Sequence, residues 1–233
     1  MGNRHVVRSV VGLAMTLVLP FASADVVYRA ERSDAQGSKR NFDITILASE
    51  QGTRVDVSRD GQARVSMIEL SDRIVLIDIV SKVYVVQETS NLDTGGAFAP
   101  SWLPTIRRQF AIGSYCNLFE VRLSEAVYDE RCASAGEKAK RVRGVTRVGE
   151  FLGEIAAASD AQALFELAVR TLASAAPAAD FPLAVGRFES GKVLGEFRIL
   201  SVTDEPLSRS AFDIPRGMRR IAASGDTAKQ AAR

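Results

Sequence analysis

The sequence predicts an α+β fold, a curved and mainly antiparallel β-sheet with covering helices, and three observations point to it. Short alternating apolar segments fill residues 25 to 87, with turn residues between them. Two segments with helical spacing follow, between Val148 and Leu172. The chain then returns to alternation from Pro182 to Thr203. Regular short strands joined by small turns favour one continuous sheet over βαβ units.

The first 24 residues are set apart from that fold. Arg4 and Arg8 precede an apolar core from Val10 to Phe21, and Ala22-Ser23-Ala24 follows as a small-residue cleavage site. This is the layout of a secretory signal, with cleavage expected before Asp25. The apolar core is shorter than the roughly 20 residues that span a bilayer as a helix, and no Cys follows the cleavage point. An exported, soluble protein is expected, not membrane-spanning once the signal is removed. The expected organisation is a signal peptide at 1–24, one domain at 25–217 and a flexible tail at 218–233.

The expected elements follow in order. Val26, Tyr28 and Ala30 share one face of an opening strand. After a turn at Ser33 to Ser38, Phe42, Ile44, Ile46 and Ala48 alternate with Asn41, Asp43 and Thr45. Val55 and Val57 begin a meander, and Asp60-Gly61 supplies a tight hairpin turn. Gln62 to Leu70, Arg73 to Val80 and Val83 to Gln87 continue it, separated by Ser71-Asp72 and Ser81-Lys82. Glu88 to Pro104 breaks the rhythm. A connection of this length in a compact domain is typically a lid, a binding loop or a disordered segment. Two readings of its aromatics stand: Phe98 and Trp102 form a flap over an apolar cavity, or they are a plug that seals the sheet edge.

Gln109 to Arg122 and Ala126 to Cys132 read as the next hairpin. Folding it about Ser124 sets Cys116 and Cys132 at equal distance from the turn, and two cysteines in an exported chain are expected to pair. Lys138, Lys140, Arg141, Arg143 and Arg147 form a basic run, either a solvated face or a patch that meets anionic groups. Val148, Phe151, Leu152 and Ile155 then recur at helical spacing, with Gly149 and Gly153 suited to close approach. Ser159 and Gln162 form a capping-box signature for a second helix with Leu164, Leu167, Ala168 and Leu172 as its stripe. Pro182 to Phe188, a turn at Ser190-Gly191 and Lys192 to Thr203 make the last hairpin. Phe212, Ile214 and Pro215 form a short apolar anchor.

Composition narrows the function. Removing the signal takes away two of the 30 basic residues and none of the 28 acidic ones, so the remaining charge is balanced. Nothing global favours nucleic acid. His5, the only histidine, also lies in that segment. Triads that need an imidazole are thereby excluded, and zinc sites, which usually draw on His or several Cys, are disfavoured. Asp56, Asp60 and Asp78 sit where solvent-facing residues are expected, and no phosphate loop or metal spacing occurs. No enzyme, no catalytic residue, no cofactor and no metal are expected.

Signal segment, strand meander, the Ser81-Lys82-Val83-Tyr84-Val85 hairpin, the Cys116 to Cys132 hairpin and the closing Phe212, Ile214, Pro215, Gly217 together resemble the periplasmic lipoprotein-carrier superfold of LolA-, LolB- and RseB-like proteins. The resemblance implies a periplasmic half-barrel whose open face is covered by helices around an apolar cavity. Phe42, Ile44, Ile46, Val55, Val57, Val65 and Met67 are then candidate lining residues, with ordinary core as their other reading. The implied ligand is a lipid or a lipoprotein acyl chain. The alternative is an interaction or stress-sensor module that recognises another envelope protein.

Overall fold

The computed structural model describes residues 25–34, 40–88, 101–102, 108–109, 115–133, 145–171 and 181–222. The expected signal segment, Phe98, Lys138, Lys140, Arg141 and Arg143 lie outside them. The first half of the chain is the expected meander: β1 (Val26–Asp34), β2 (Arg40–Ala48), β3 (Thr53–Arg59), β4 (Gln62–Glu69), β5 (Arg73–Asp78) and β6 (Val83–Glu88). The second half comprises β7 (Ser101–Trp102), β8 (Arg108–Gln109), β9 (Tyr115–Arg122), β10 (Val127–Ala133), α1 (Val145–Ala157), α2 (Ala161–Thr171), β11 (Pro182–Glu189), β12 (Lys192–Asp204) and β13 (Arg219–Arg220).

Local chemistry explains most of these boundaries. Asp60 and Gly61 both take positive φ, 54° and 71°, as do Ser190 and Gly191, 49° and 77°. These are the dihedral signs of the primed turns that match strand twist. Asp78 ends β5 two residues before the expected limit, because its Oδ1 accepts hydrogen bonds from the amides of Val80 and Ser81 at 2.9 and 3.0 Å. At α2 the cap is Asp160, not Ser159. Its Oδ1 accepts the Ala163 amide at 2.9 Å, while Gln162 Nε2 donates to Glu166 instead of folding back.

The strands lie in one open sheet in the order β13-β6-β5-β4-β3-β2-β1-β12-β11-β10-β9-β7, with β8 paired to β9 on the side. All neighbours are antiparallel except β13, which runs parallel to β6. Strand β1 is the junction, since it pairs with β2 on one side and β12 on the other. Both helices lie on one face. α1 packs on β11, β12, β1 and β4, whereas α2 packs on β4 and β5.

Three expectations change. Gln109 to Arg122 is not one strand: Arg108 and Gln109 pair back with Cys116 and Tyr115, so the chain reverses between β8 and β9. In the β9–β10 hairpin the bend covers Leu123 to Ala126, and Cys132 stands opposite Leu118. Cys116 is therefore two residues along β9 from Cys132's register partner, and not directly across. Its side chain lies outside the described residues. Finally, Gly217 is not the limit of the fold, because Arg219 and Arg220 join the sheet edge and Ile221 packs against the core.

The apolar residues form two main clusters. The larger one joins the helix stripes, Val148, Phe151, Leu152 and Ile155 on α1 and Leu164, Phe165 and Ala168 on α2, to the inner face of the sheet. The smaller lies on the outer face of β4 and β5. There Ile68, Val75 and Ile77 are covered by Leu207, Phe212, Ile214 and Met218 from the C-terminal segment, as the expected apolar anchor requires.

Candidate functional site

Phe42, Ile44, Ile46, Val55, Val57, Val65 and Met67, named from sequence as a ligand lining, do share one face of β2, β3 and β4. All are at most 1 % exposed and belong to the same buried cluster as the helix stripes. Their two-residue alternation puts them inward, and the helices close over them. Trp102, the flap candidate, is part of β7, paired through its backbone with Phe119 on β9. Its position is therefore on the sheet and not in a free loop. Arg147, the one described member of the basic run, is turned inward: its Nη1 donates to Glu69 Oε1 at 2.8 Å. Burial pushes the Glu69 carboxyl up to about 7, against the opposing pull of Arg147.

Beside this apolar face lies a group that sequence reasoning missed. Where α1 crosses β10 and β11, five charged side chains are buried together: Asp129, Arg131, Glu150, Glu154 and Arg187. Asp129 is the hub and is fully buried. Its Oδ2 accepts from Arg131 Nη2 at 2.7 Å and Nε at 3.2 Å and from Arg187 Nη2 at 3.2 Å, and its Oδ1 accepts from Arg187 Nε. Arg131 Nη2 also donates to Glu150 Oε1 at 3.2 Å, and Arg187 Nη1 stands 3.6 Å from Glu154 Oε1. Asp129 and Arg187 are register partners on adjacent strands, and Glu150 and Glu154 are one helical turn apart.

Glycines make this approach possible. A Cβ on Gly153 would lie 2.7 Å from Arg187 Nη2 and 2.8 Å from Asp129 Oδ2. A Cβ on Gly195 of β12 would collide with the Ala156 carbonyl and with the Arg32 guanidinium. Arg32 donates to that carbonyl at 3.4 Å, at the C-terminal end of α1, where a cation opposes the exposed carbonyl dipoles. Burial raises the carboxyls of Glu150 and Glu154, with Arg131 and Arg187 respectively opposing the shift. The sequence by itself carried no signal for this cluster: Asp129, Arg131 and Arg187 fall on the helix-facing side only once register is known. Without register, charged residues alternating on a strand read as solvent-facing.

A separate concavity opens to solvent at the turn end of the meander. This cleft of about 480 Å³ is lined by Arg59, Asp60 and Arg64 from the β3–β4 hairpin, by Asp78, Val80 and Ser81 from the β5–β6 turn, and by Asp160, Ala161 and Gln162 at the start of α2. Val80 is 59 % exposed, a large apolar side chain left in water. Asp78 and Asp160 are committed to backbone amides. Among the described residues no group of three or more His, Cys, Asp or Glu is placed to hold a metal, and no helix is long and apolar enough to cross a membrane.

No known protein family matches the chain, and no curated protein matches it either. Solved structures do, weakly and at the level of fold. An uncharacterised conserved protein from Thermus thermophilus is 11 % identical with a TM-score of 0.45, over 86 % of this chain and 91 % of its own. PNGF-II is 10 % identical with a TM-score of 0.48, over 89 % of this chain and 32 % of its own. MucB, an RseB homologue, is 8 % identical with a TM-score of 0.42, over 85 % of this chain and 60 % of its own. The chain thus spans about a third of PNGF-II and three-fifths of MucB.

Proposed function

We propose that this chain is an exported, non-enzymatic binding protein of the periplasm, and that it acts as an interaction module for another envelope protein. One observation carries the choice. The apolar face expected to line a ligand cavity is covered by its own helices, whereas the cleft at the meander's turns is open, of mixed polar and apolar lining, and includes the exposed Val80. Mixed charge with an exposed apolar residue suits a protein segment better than an acyl chain. Arg59 and Arg64 would pair carboxylates of such a segment, Asp60 its cations, and Val80 would bury against it.

The test is capture by site-specific photo-crosslinking from position 80 in intact cells, with Arg59→Glu/Arg64→Glu as control. A discrete adduct lost in the double variant supports the reading. An adduct unaffected by charge reversal, or no adduct at all, removes this cleft from the interface.

The second reading retains the hydrophobic or acyl-bearing ligand between sheet and helices, favoured by the continuous apolar face from Phe42 to Met67. α2 rests mainly on β4 and β5 of the sheet, so it is the element whose displacement would open that face. Native mass spectrometry of protein purified from its own compartment without detergent separates the two. A stoichiometric lipid adduct establishes the carrier reading, and a bare mass favours the interaction module.

The compartment also bears on the two cysteines, which we propose are joined. Adjacent strands support the pairing, with Cys116 two residues along β9 from the register partner of Cys132. Denatured, unreduced protein is expected to show no free thiol, and reduction to cost about 3 kcal/mol for a loop of this size. Two titratable thiols in the unreduced protein would exclude it.

A further inference from the structure

We infer that the five buried charges between α1 and the β10–β11 hairpin form a proton-operated latch: docking α1 on the sheet takes one proton from solvent onto the Glu150–Glu154 pair, and losing it loosens the helix. This goes beyond the binding readings above, since it concerns when the inner face is covered and not what is bound.

The argument starts from charge. Three carboxylates, Asp129, Glu150 and Glu154, share the site with two guanidiniums, Arg131 and Arg187, and none of the five is more than 5 % exposed. Arginine does not give up its proton in this setting. With every group ionised the cluster holds one excess negative charge away from water, which is strongly unfavourable. One proton on a carboxylate makes it neutral.

Geometry identifies which carboxylate takes it. Asp129 receives hydrogen bonds from both arginines, which hold it ionised. Glu150 has one contact, with Arg131 at 3.2 Å, and Glu154 has the loosest, 3.6 Å from Arg187. Arg131 Nη1 is buried without a hydrogen-bond partner, so the site is not saturated. Among the described residues, the neighbouring charges do not supply the missing cation. On β1, Arg32 faces the Ala156 carbonyl and is balanced by Asp34. On β4, Glu69 is matched to Arg147 of α1. β12 presents Gly195 there, with Glu196 and Arg198 facing solvent, and the charges of α2, Asp160, Glu166 and Arg170, are exposed. On β9, Glu120 is held by Arg122.

Both glutamates have carboxyls raised by burial, in agreement with this count. A raised folded value means that the stabilisation is fully present below the unfolded value of about 4.5 and is lost as pH rises through the folded one. The latch is therefore tight in acid and loose in base, the reverse of an ordinary surface ion pair.

Hydrogen-exchange mass spectrometry of the full chain tests this, carried out between pH 4.5 and 8.5 in a Glu69→Gln background that removes that residue's own titration. The opening constant of α1 is expected to rise by up to tenfold per pH unit from the acid end and then level off. Glu154→Gln or Glu150→Gln should flatten the slope, since either leaves two carboxylates against two guanidiniums. A pH-independent opening constant, loss of protection in acid, or a slope unchanged in both variants overturns the proposal. Should the variants not fold, carbon-detected NMR of the glutamate carboxyls in the unaltered protein decides. With the carboxyl signals assigned, Glu150 or Glu154 still protonated at pH 6 supports the latch, and both ionised at pH 5 refute it, whatever the state of Glu69.

Discussion

Asp129 decides whether α1 can sit where it does, because Arg131 and Arg187 both depend on it. Asp129→Asn keeps the shape but takes away the one carboxylate that both Arg131 and Arg187 hydrogen-bond, and puts an amide donor against their N–H groups. Removing one partner from a buried ionic group costs about 3–5 kcal/mol, which urea unfolding followed by circular dichroism would register. Glu69 makes a second prediction. With its carboxyl raised to about 7, its folded form binds a proton more readily than its unfolded form, so its contribution is held below the ordinary carboxylate range and lost as pH rises through 7. The stability of the unaltered protein relative to Glu69→Gln is therefore expected to fall between pH 5 and 8, and a difference that stays constant or grows would contradict it. Neither residue was legible as buried. Asp129 and Glu69 lie in strands that also carry half-buried charges, Glu130 and Arg64, and one strand alone does not reveal what the opposite layer brings.

At the scale of elements, α1 is held by two kinds of contact. Its apolar stripe was readable from spacing, and its ionic edge was not. Glycine connects the two, because close approach at Gly153 and Gly195 lets the helix backbone come down to the arginines. Gly195→Ala would ordinarily favour a strand, yet here the added carbon meets the backbone carbonyl of Ala156, which cannot swing away. A loss of about 1–3 kcal/mol is expected from such overpacking. Thermal unfolding shows it directly, and an unchanged or higher midpoint would mean that α1 sits further from β12. Two of the hairpin turns, by contrast, were legible in detail. Asp60-Gly61 and Ser190-Gly191 have the positive φ that their residue types favour. The reversal between β8 and β9 was not, since its residues continue an alternating pattern through a change of direction.

For the whole molecule, the C-terminal segment matters as much as the helices. It crosses the outer face of β4 and β5 and pairs with β6, giving that part of the sheet apolar cover on both sides. Phe212 is its buried anchor. Phe212→Ala is expected to cost about 3–5 kcal/mol and to expose Ile68, Val75 and Ile77, which increased binding of a hydrophobic dye alongside a lower unfolding midpoint would reveal. A dye signal with no stability loss would show that the segment is a detachable cover. Ile68, Val75 and Ile77 could be read as strand residues from sequence, but that their side of the sheet was buried could not.

By itself the sequence determined the class of fold, the meander, both helices and most turns, because alternation, helical spacing and turn chemistry are properties of neighbouring residues. It also determined that no histidine follows residue 5. Tertiary structure alone decided that β1 joins β2 to β12, that Cys132 faces Leu118, that the apolar face is covered, and that five charges are buried under α1. These depend on strand register and on the approach of layers distant in sequence, where a one-residue shift exchanges a solvent-facing side chain for a buried one.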